Sequence, residues 1–139
     1  AYRQRLAALD NSARTAFAAI PPEQRRVVST HDAFGYLGEA YGITFISPRS
    51  WNTDSEASAA GVAAVIRQVR QHQARALFVE NITDRRSIER IAQETGAQVG
   101  GTLYSDALSA PGAGADTYLR LYEHNVKVIA GALQAAATR

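Results

Sequence analysis

Three side chains that could bind a metal, His31, Glu80 and Asp106, lie at or just beyond the ends of short apolar stretches. Such stretches are typical of β-strands, and the carboxyl ends of parallel strands meet at one edge of a sheet, where ligands bind. Imidazole and carboxylate groups that converge there form a set that zinc and similar ions accept. Because structural zinc normally takes four protein ligands, two or three residues predict an open or incomplete metal site.

Two other interpretations of these residues stay open at this point. His31 lies where a strand gives way to a helix, so it could simply be a residue at the helix entrance. Glu80 and Asp106 could form an acid–base pair, although carboxylates at a sheet edge are common in α/β domains. Dinucleotide, phosphate-loop and serine-hydrolase sites are not supported, because the sequence carries no GxGxxG, GxxxxGK[ST] or GxSxG pattern.

The elements that must position these side chains alternate along the chain. Strands are predicted at 26–30, 43–46, 76–79 and 98–104. Helices are predicted at 2–19, 32–41 and 84–95. A further helix is predicted from a capping box at 53–56 to about residue 73, and a last one from Asp116 or Thr117 to the end. Gly42 and Gly96 are predicted helix stops, and Gly100-Gly101 predicts a bulge or a close backbone approach. The predicted fold is α/β, a four-stranded parallel sheet flanked by helices and preceded by a long helix.

Composition narrows the class of protein. A chain of 139 residues with 46% hydrophobic residues can form one domain with its own core. The net charge of +2, with scattered arginines, gives little support for nucleic-acid binding. The absence of cysteine excludes disulfides and a thiol nucleophile. No apolar run approaches the ~18 residues of a membrane span. The chain begins mid-helix without a signal peptide, which predicts a piece of a longer protein or a mature or trimmed form.

Several motifs then make the resemblance to one family specific. The stretch VVSTHDAFGY at 27–36, followed by Ala40-Tyr41-Gly42, resembles the metal-binding lipoprotein/adhesin-like family of ABC-importer solute-binding proteins for zinc and manganese. The similarity continues through TDSEAS at 53–58, FVENI at 78–82, DRR at 84–86, ETG at 94–96, GTLYSDAL at 101–108, Tyr118 and HNV at 124–126. These motifs span nearly the whole chain in the order of the family.

The resemblance implies a fold of two α/β lobes joined by a long rigid helix, with a metal held between them. Residues 1–20 then correspond to the end of the connecting helix and residues 25–139 to the C-terminal, Rossmann-like lobe. His31 and Asp106 match the third and fourth metal ligands of the family. Glu80 matches a glutamate near the site and is expected to orient His31. The first two histidine ligands belong to an N-terminal lobe with no counterpart in this sequence.

The resemblance also implies a function that is not enzymatic. It predicts extracytoplasmic binding of a divalent transition metal, in the periplasm or attached to the cell surface, for delivery to an ABC permease. His31 favours zinc over manganese, because manganese-preferring members usually carry glutamate at that position. The apolar side of helix 2–19 and the face around the site are expected to be poorly covered without the second lobe, which would favour a homodimer of this chain.

Two rival interpretations use the same edge of the sheet. One is a stand-alone small α/β enzyme or a regulatory domain of the response-regulator kind. A response regulator should carry an acidic pair after its first strand and a lysine after its last strand, whereas this sequence has His31 and no such lysine. The other is a purely structural lobe whose activity resides elsewhere in a longer protein.

Overall fold

A computed structural model describes residues 1–30, 32–47, 58–81 and 85–137. Its strands are β1 (Arg26–Val28), β2 (Thr44–Ile46), β3 (Ala76–Glu80) and β4 (Gln98–Leu103). Its helices are α1 (Tyr2–Ala18), α2 (Gly35–Tyr41), α3 (Ala59–His72), α4 (Arg86–Thr95) and α5 (Tyr118–Ala137), with a short 3₁₀ turn at Pro22–Gln24. The predicted alternation of strands and helices is confirmed. None of the helices described is long and apolar enough to cross a membrane.

The four strands form one parallel sheet in the order β2-β1-β3-β4. All five residues of β3 are buried, as expected for an interior strand that has helices on both faces. Since every pairing is parallel, all four strands end at the same edge, which we call the carboxyl edge. The predicted four-stranded parallel sheet is therefore confirmed.

Two hydrophobic layers sandwich the sheet. Successive strand residues point to opposite faces, so Val27 and Phe78 pack in one layer with Phe17 and Ile129 of α1 and α5. The other layer joins the neighbouring strand residues to α3 and α4, and its buried members include Val28, Leu77, Val79, Val65, Val69, Ile88 and Ile91. Both layers are covered by helices of the chain itself, and α1 contributes to one of them.

Several element boundaries differ from the predicted ones by a few residues. Strand β1 ends at Val28 rather than residue 30, although the Ser29 N–H still donates to the β2 carbonyl of Ile46, at 3.1 Å. Helix α2 begins at Gly35 rather than residue 32, and its first helical hydrogen bond goes to the Phe34 carbonyl. Helix α3 begins after Ser58, whose hydroxyl accepts from the Gly61 N–H at 3.0 Å. The capping box predicted at 53–56 lies outside the described residues.

The predicted stops and the predicted bulge are confirmed. Gly42 ends α2 with φ 69°, in the left-handed region that favours glycine. The pairing of β3 with β4 slips between Leu77 and Phe78, so that Val99 and Gly101 face them and Gly100 is the extra residue. A Cβ on Gly100 would lie 2.6 Å from the Phe78 ring and 2.7 Å from the Ala132 Cβ. Glycine is therefore required here by the close packing of β4 against β3 and α5.

Arginines cap helices at the opposite edge of the sheet. Arg25 donates to the carbonyl of Tyr41, the last residue of α2, at 3.2 Å. Three further arginine-to-carbonyl bonds serve the ends of α3, α4 and α5: Arg26 to His72, Arg70 to Glu94 and Arg75 to Ala136. Cations at helix C-termini satisfy free carbonyls and oppose the helix dipole. These four arginines thus have structural roles that do not require a nucleic acid.

Helix α1 is better covered by this lobe than the sequence analysis expects. Phe17 and Ile20 are each 1% exposed and belong to the same core layer as α5. Leu6 and Leu9, nearer the start of the helix, are half-buried. The expectation of a poorly covered apolar side is therefore wrong for the second half of α1, because α5 and α2 pack against it.

A polar cluster also ties α1 to α2 and α5. The Tyr41 hydroxyl donates to Asp10 at 2.9 Å and shares a hydrogen bond with the Tyr122 hydroxyl. Arg14 bonds to Asp10 at 3.0 Å and lies 5.6 Å from the centre of the Tyr41 ring. Burial is the main cause that raises the pKa of Tyr41 above its usual range, and its hydrogen bonds to Tyr122 and Asp10 act in the same direction. Burial also raises the pKa of Tyr122.

These raised pKa values predict a specific alkaline transition. An unfolded phenol ionises near pH ~10, whereas folding keeps Tyr41 and Tyr122 protonated to higher pH. Their stabilising contribution is therefore full below pH ~10 and decreases as the pH rises above it. We expect the last part of the tyrosinate absorbance at 295 nm to appear together with loss of the helical circular dichroism. In Tyr41→Phe this delayed part should shrink, and complete tyrosine ionisation with intact helices would contradict the prediction.

Candidate metal centre

The carboxyl edge brings Thr30 and Glu80 together. Glu80 closes β3, Thr30 follows the neighbouring strand β1, and the Thr30 hydroxyl donates to Glu80 Oε2. Both side chains are almost fully buried, at 2% and 1% exposed for Thr30 and Glu80. Burying a carboxylate is costly unless hydrogen bonds compensate it. Glu80 is thus suited to hold neighbouring groups in place.

Asp106 lies at the same edge, on the far side of β3. It follows β4 by three residues, and its side chain is exposed. The strand order places β3 between β1 and β4. At a strand spacing of ~4.8 Å, the chain segments that leave β1 and β4 are therefore separated by ~10 Å across the buried Glu80. Side chains from both segments could approach one ion above β3.

His31 lies outside the described residues. The residue before it, Thr30, is described, and its hydroxyl is hydrogen-bonded to Glu80. Within the described parts of the chain, no three histidine, aspartate or glutamate side chains lie close enough together to hold a metal ion. The predicted ligand set of His31 and Asp106 therefore stays a prediction.

The chain that carries Asp106 away from β4 is held by α5. The Asn125 amide accepts from the Tyr104 N–H at 2.9 Å and donates to the Tyr104 carbonyl at 2.8 Å. Nε2 of the adjacent His124 lies 2.9 Å from the Thr102 carbonyl, and the His124 ring packs edge-on against Tyr104 with centroids 5.1 Å apart. The α5 residues thus bind two consecutive outward-facing positions at the end of β4.

No role in the site was predicted for Asn125 and His124 beyond their part in the resemblance. A signal was present, because asparagine has poor helix propensity and interrupts an otherwise apolar helix stripe. Asn125 is only 2% exposed. A buried asparagine in mid-helix needs partners for its amide, and the end of β4 provides them.

Comparison with known proteins identifies the family. Residues 1–132 match the ZnuA family, described as zinc-uptake complex component A, periplasmic. The chain belongs to this family. ZnuA-type proteins are metal-binding transport components, which confirms the prediction of a non-enzymatic protein and sets aside the enzyme and regulatory-domain alternatives. The periplasmic location in the family description agrees with the predicted extracytoplasmic location.

Individual relatives show how much of such a protein this chain represents. It is 34% identical over 138 residues to the zinc-binding protein TroA of Treponema pallidum and to the manganese-binding lipoprotein MntA of Bacillus subtilis. Each match covers 96% of this chain and 45% of the relative. The chain therefore spans about half the length of the curated relatives that it matches.

Solved structures agree in fold. A manganese-bound mutant of a periplasmic metal-binding protein from Candidatus Liberibacter asiaticus superposes with a TM-score of 0.86 at 30% identity, over 95% of this chain and 49% of that protein. The periplasmic zinc-binding protein TroA of Treponema pallidum gives a TM-score of 0.85 at 33% identity, with 95% and 50% covered. The fold of this ZnuA-family chain is thus that of half of such a metal-binding protein.

Proposed function

We propose that this chain supplies half of a binding site for a divalent transition metal. The complete protein would be an extracytoplasmic substrate-binding protein that delivers the ion to an ABC importer. One observation supports this proposal above the others: strands β1 and β4 end at the same edge of the parallel sheet, on either side of β3 and its buried Glu80. Membership of the ZnuA family supports the transport role.

In this proposal His31 and Asp106 bind the ion directly, and Glu80 keeps the segment of His31 in place. Imidazole nitrogen and carboxylate oxygen are both zinc ligands. The Thr30–Glu80 hydrogen bond supports the role of Glu80, because it fixes the residue immediately before His31. Groups that orient metal ligands in this way commonly contribute ~10- to 100-fold to metal affinity.

The remaining ligands would come from a second, N-terminal lobe. Residues 1–20 would then be the end of a connecting helix, and residues 25–139 the C-terminal lobe. The coverage of 45% of TroA supports this division. Three large apolar side chains, Tyr36, Leu108 and Tyr118, are 92%, 50% and 55% exposed and lie in segments that begin near the carboxyl edge. We propose that the second lobe covers them, and that a second copy of this chain covers them in its absence.

Zinc is the metal that we propose. An imidazole ligand suits zinc, whereas manganese favours sites dominated by oxygen ligands. The relatives themselves are named for different metals, with zinc for TroA and manganese for MntA. The choice of zinc therefore depends on His31.

A zinc titration of the 139-residue chain tests the proposal. We expect Zn²⁺ to shift the ¹H–¹⁵N resonances around Asp106 and around residues 30–32, with an affinity orders of magnitude below that of a four-ligand site. Mn²⁺ should bind more weakly than Zn²⁺ in competition calorimetry, and a chelator should reverse both effects. Tight binding that leaves these resonances unshifted would contradict the proposed site, and tighter binding of Mn²⁺ would contradict the choice of zinc.

A further inference from the structure

Strand β4 lies at an edge of the sheet, and its outer backbone groups need partners. Among the strands described, β4 pairs only with β3. The Leu103 carbonyl accepts from the Asn81 N–H on the β3 side, so the neighbouring Thr102 and Tyr104 groups point outward. Unpaired backbone groups that are buried are costly, and exposed edges invite wrong pairing.

His124 and Asn125 take the place of the absent neighbouring strand. A carbonyl can only accept, so the His124 Nε2 carries a proton and donates to Thr102 O. Asn125 then pairs with both backbone groups of Tyr104, as a neighbouring strand would. His124 and Asn125 therefore fix the backbone at the end of β4, where the chain leaves the sheet.

We infer that Asn125 is a positioning residue for Asp106. Only Ser105 separates Tyr104 from Asp106, so a fixed peptide at Tyr104 sets the point and direction from which the chain carries the carboxylate. Asp106 itself is exposed, in a loop whose following residues are also exposed. The fixed peptide at Tyr104 holds the chain before Asp106, and Asn81 Nδ2, which donates to the Ala107 carbonyl at 3.3 Å, holds it after Asp106. The inference rests on the proposed function for its effect on metal, but its effect on the backbone can be measured without metal.

The test is a double-mutant cycle in the 139-residue chain with Zn²⁺ as the probe. The four proteins are the wild type, Asn125→Ala, Asp106→Asn and the double variant, each titrated by NMR. We expect Asn125→Ala alone to weaken Zn²⁺ binding about tenfold. In the Asp106→Asn background the same substitution should cost less than about twofold, because Asn125 acts through Asp106.

Metal-free ¹⁵N relaxation gives a second readout. Order parameters of residues 104–107 should fall in Asn125→Ala from ~0.85, the value of rigid backbone, toward ~0.6. Val65→Ala, in the opposite core layer, is the stability control and should change neither these order parameters nor the Zn²⁺ affinity. Asn125→Gln keeps the amide on a side chain that is one methylene longer. It should lower the order parameters and the Zn²⁺ affinity by an intermediate amount, and it replaces Asn125→Ala if that variant fails to fold.

The outcomes separate this inference from the proposed function. A wild-type chain without Zn²⁺-dependent shifts at Asp106 would overturn the proposed function, and the order parameters would still decide whether Asn125 places Asp106. Unchanged order parameters in the Asn125 variants would overturn the inference. Equal losses of Zn²⁺ affinity with and without the Asp106 carboxylate would also overturn it, because Asn125 would then act by another route.

Discussion

Replacing Gly100 by alanine is expected to lower the free energy of unfolding by about 2–3 kcal/mol, and replacing it by valine by more. A Cβ at this position would meet the Phe78 ring at 2.6 Å and the Ala132 Cβ at 2.7 Å. Phe78 is fully buried in the central strand, so its ring has little room to move. Relief of the contact would require β4 to move away from β3 or from α5.

Gly131 provides the matched control for this substitution. It lies in the interior of α5, is exposed, and has no atom within 4 Å of an added Cβ. Gly131→Ala should therefore raise the free energy of unfolding by about 0.5–1 kcal/mol through helix propensity. Urea unfolding followed by circular dichroism measures both variants. Effects of the same sign at the two positions would show that packing at the bulge is not what requires Gly100.

Much of the fold could be predicted because local signals and tertiary packing agree. The uninterrupted apolar run at 76–79 predicts an interior parallel strand, and β3 is fully buried. Gly42 and Gly96 predict helix ends, and both adopt left-handed conformations there. Boundaries were less accurate where side chains compete with the backbone for hydrogen bonds, as at Ser58, which caps α3 several residues after the predicted start.

The site could be predicted only in part. Parallel topology alone indicates which residues reach the carboxyl edge, so Glu80 and Asp106 could be assigned to it from the sequence. The contacts that support them could not, because Thr30–Glu80 joins residues 50 positions apart and Asn125–Tyr104 joins residues 21 positions apart. Periodicity describes one element at a time and does not show which polar groups meet between elements.

Removing either proposed ligand is expected to produce the largest loss of metal binding. Zinc sites with four protein ligands have apparent binding free energies of about 10–16 kcal/mol, or about 3 kcal/mol per ligand, which corresponds to about 100-fold in affinity. His31→Ala and Asp106→Ala should each weaken Zn²⁺ binding by about this factor, and Glu80→Gln by about tenfold. Calorimetry in a buffer that does not bind zinc measures all three variants.

Controls and pH distinguish a specific site from adsorption of zinc to surface side chains. His72→Ala and Glu39→Gln change exposed residues of the same types, on α3 and α2, and should leave Zn²⁺ affinity unchanged. An unperturbed imidazole gains a proton as the pH falls through about 6.5, and protonation competes with metal. Wild-type binding should therefore weaken below this pH, whereas His31→Ala should lose that dependence. If His72→Ala weakened binding as much as His31→Ala, zinc would be held by accessible histidines in general, and the carboxyl edge would not be the metal centre.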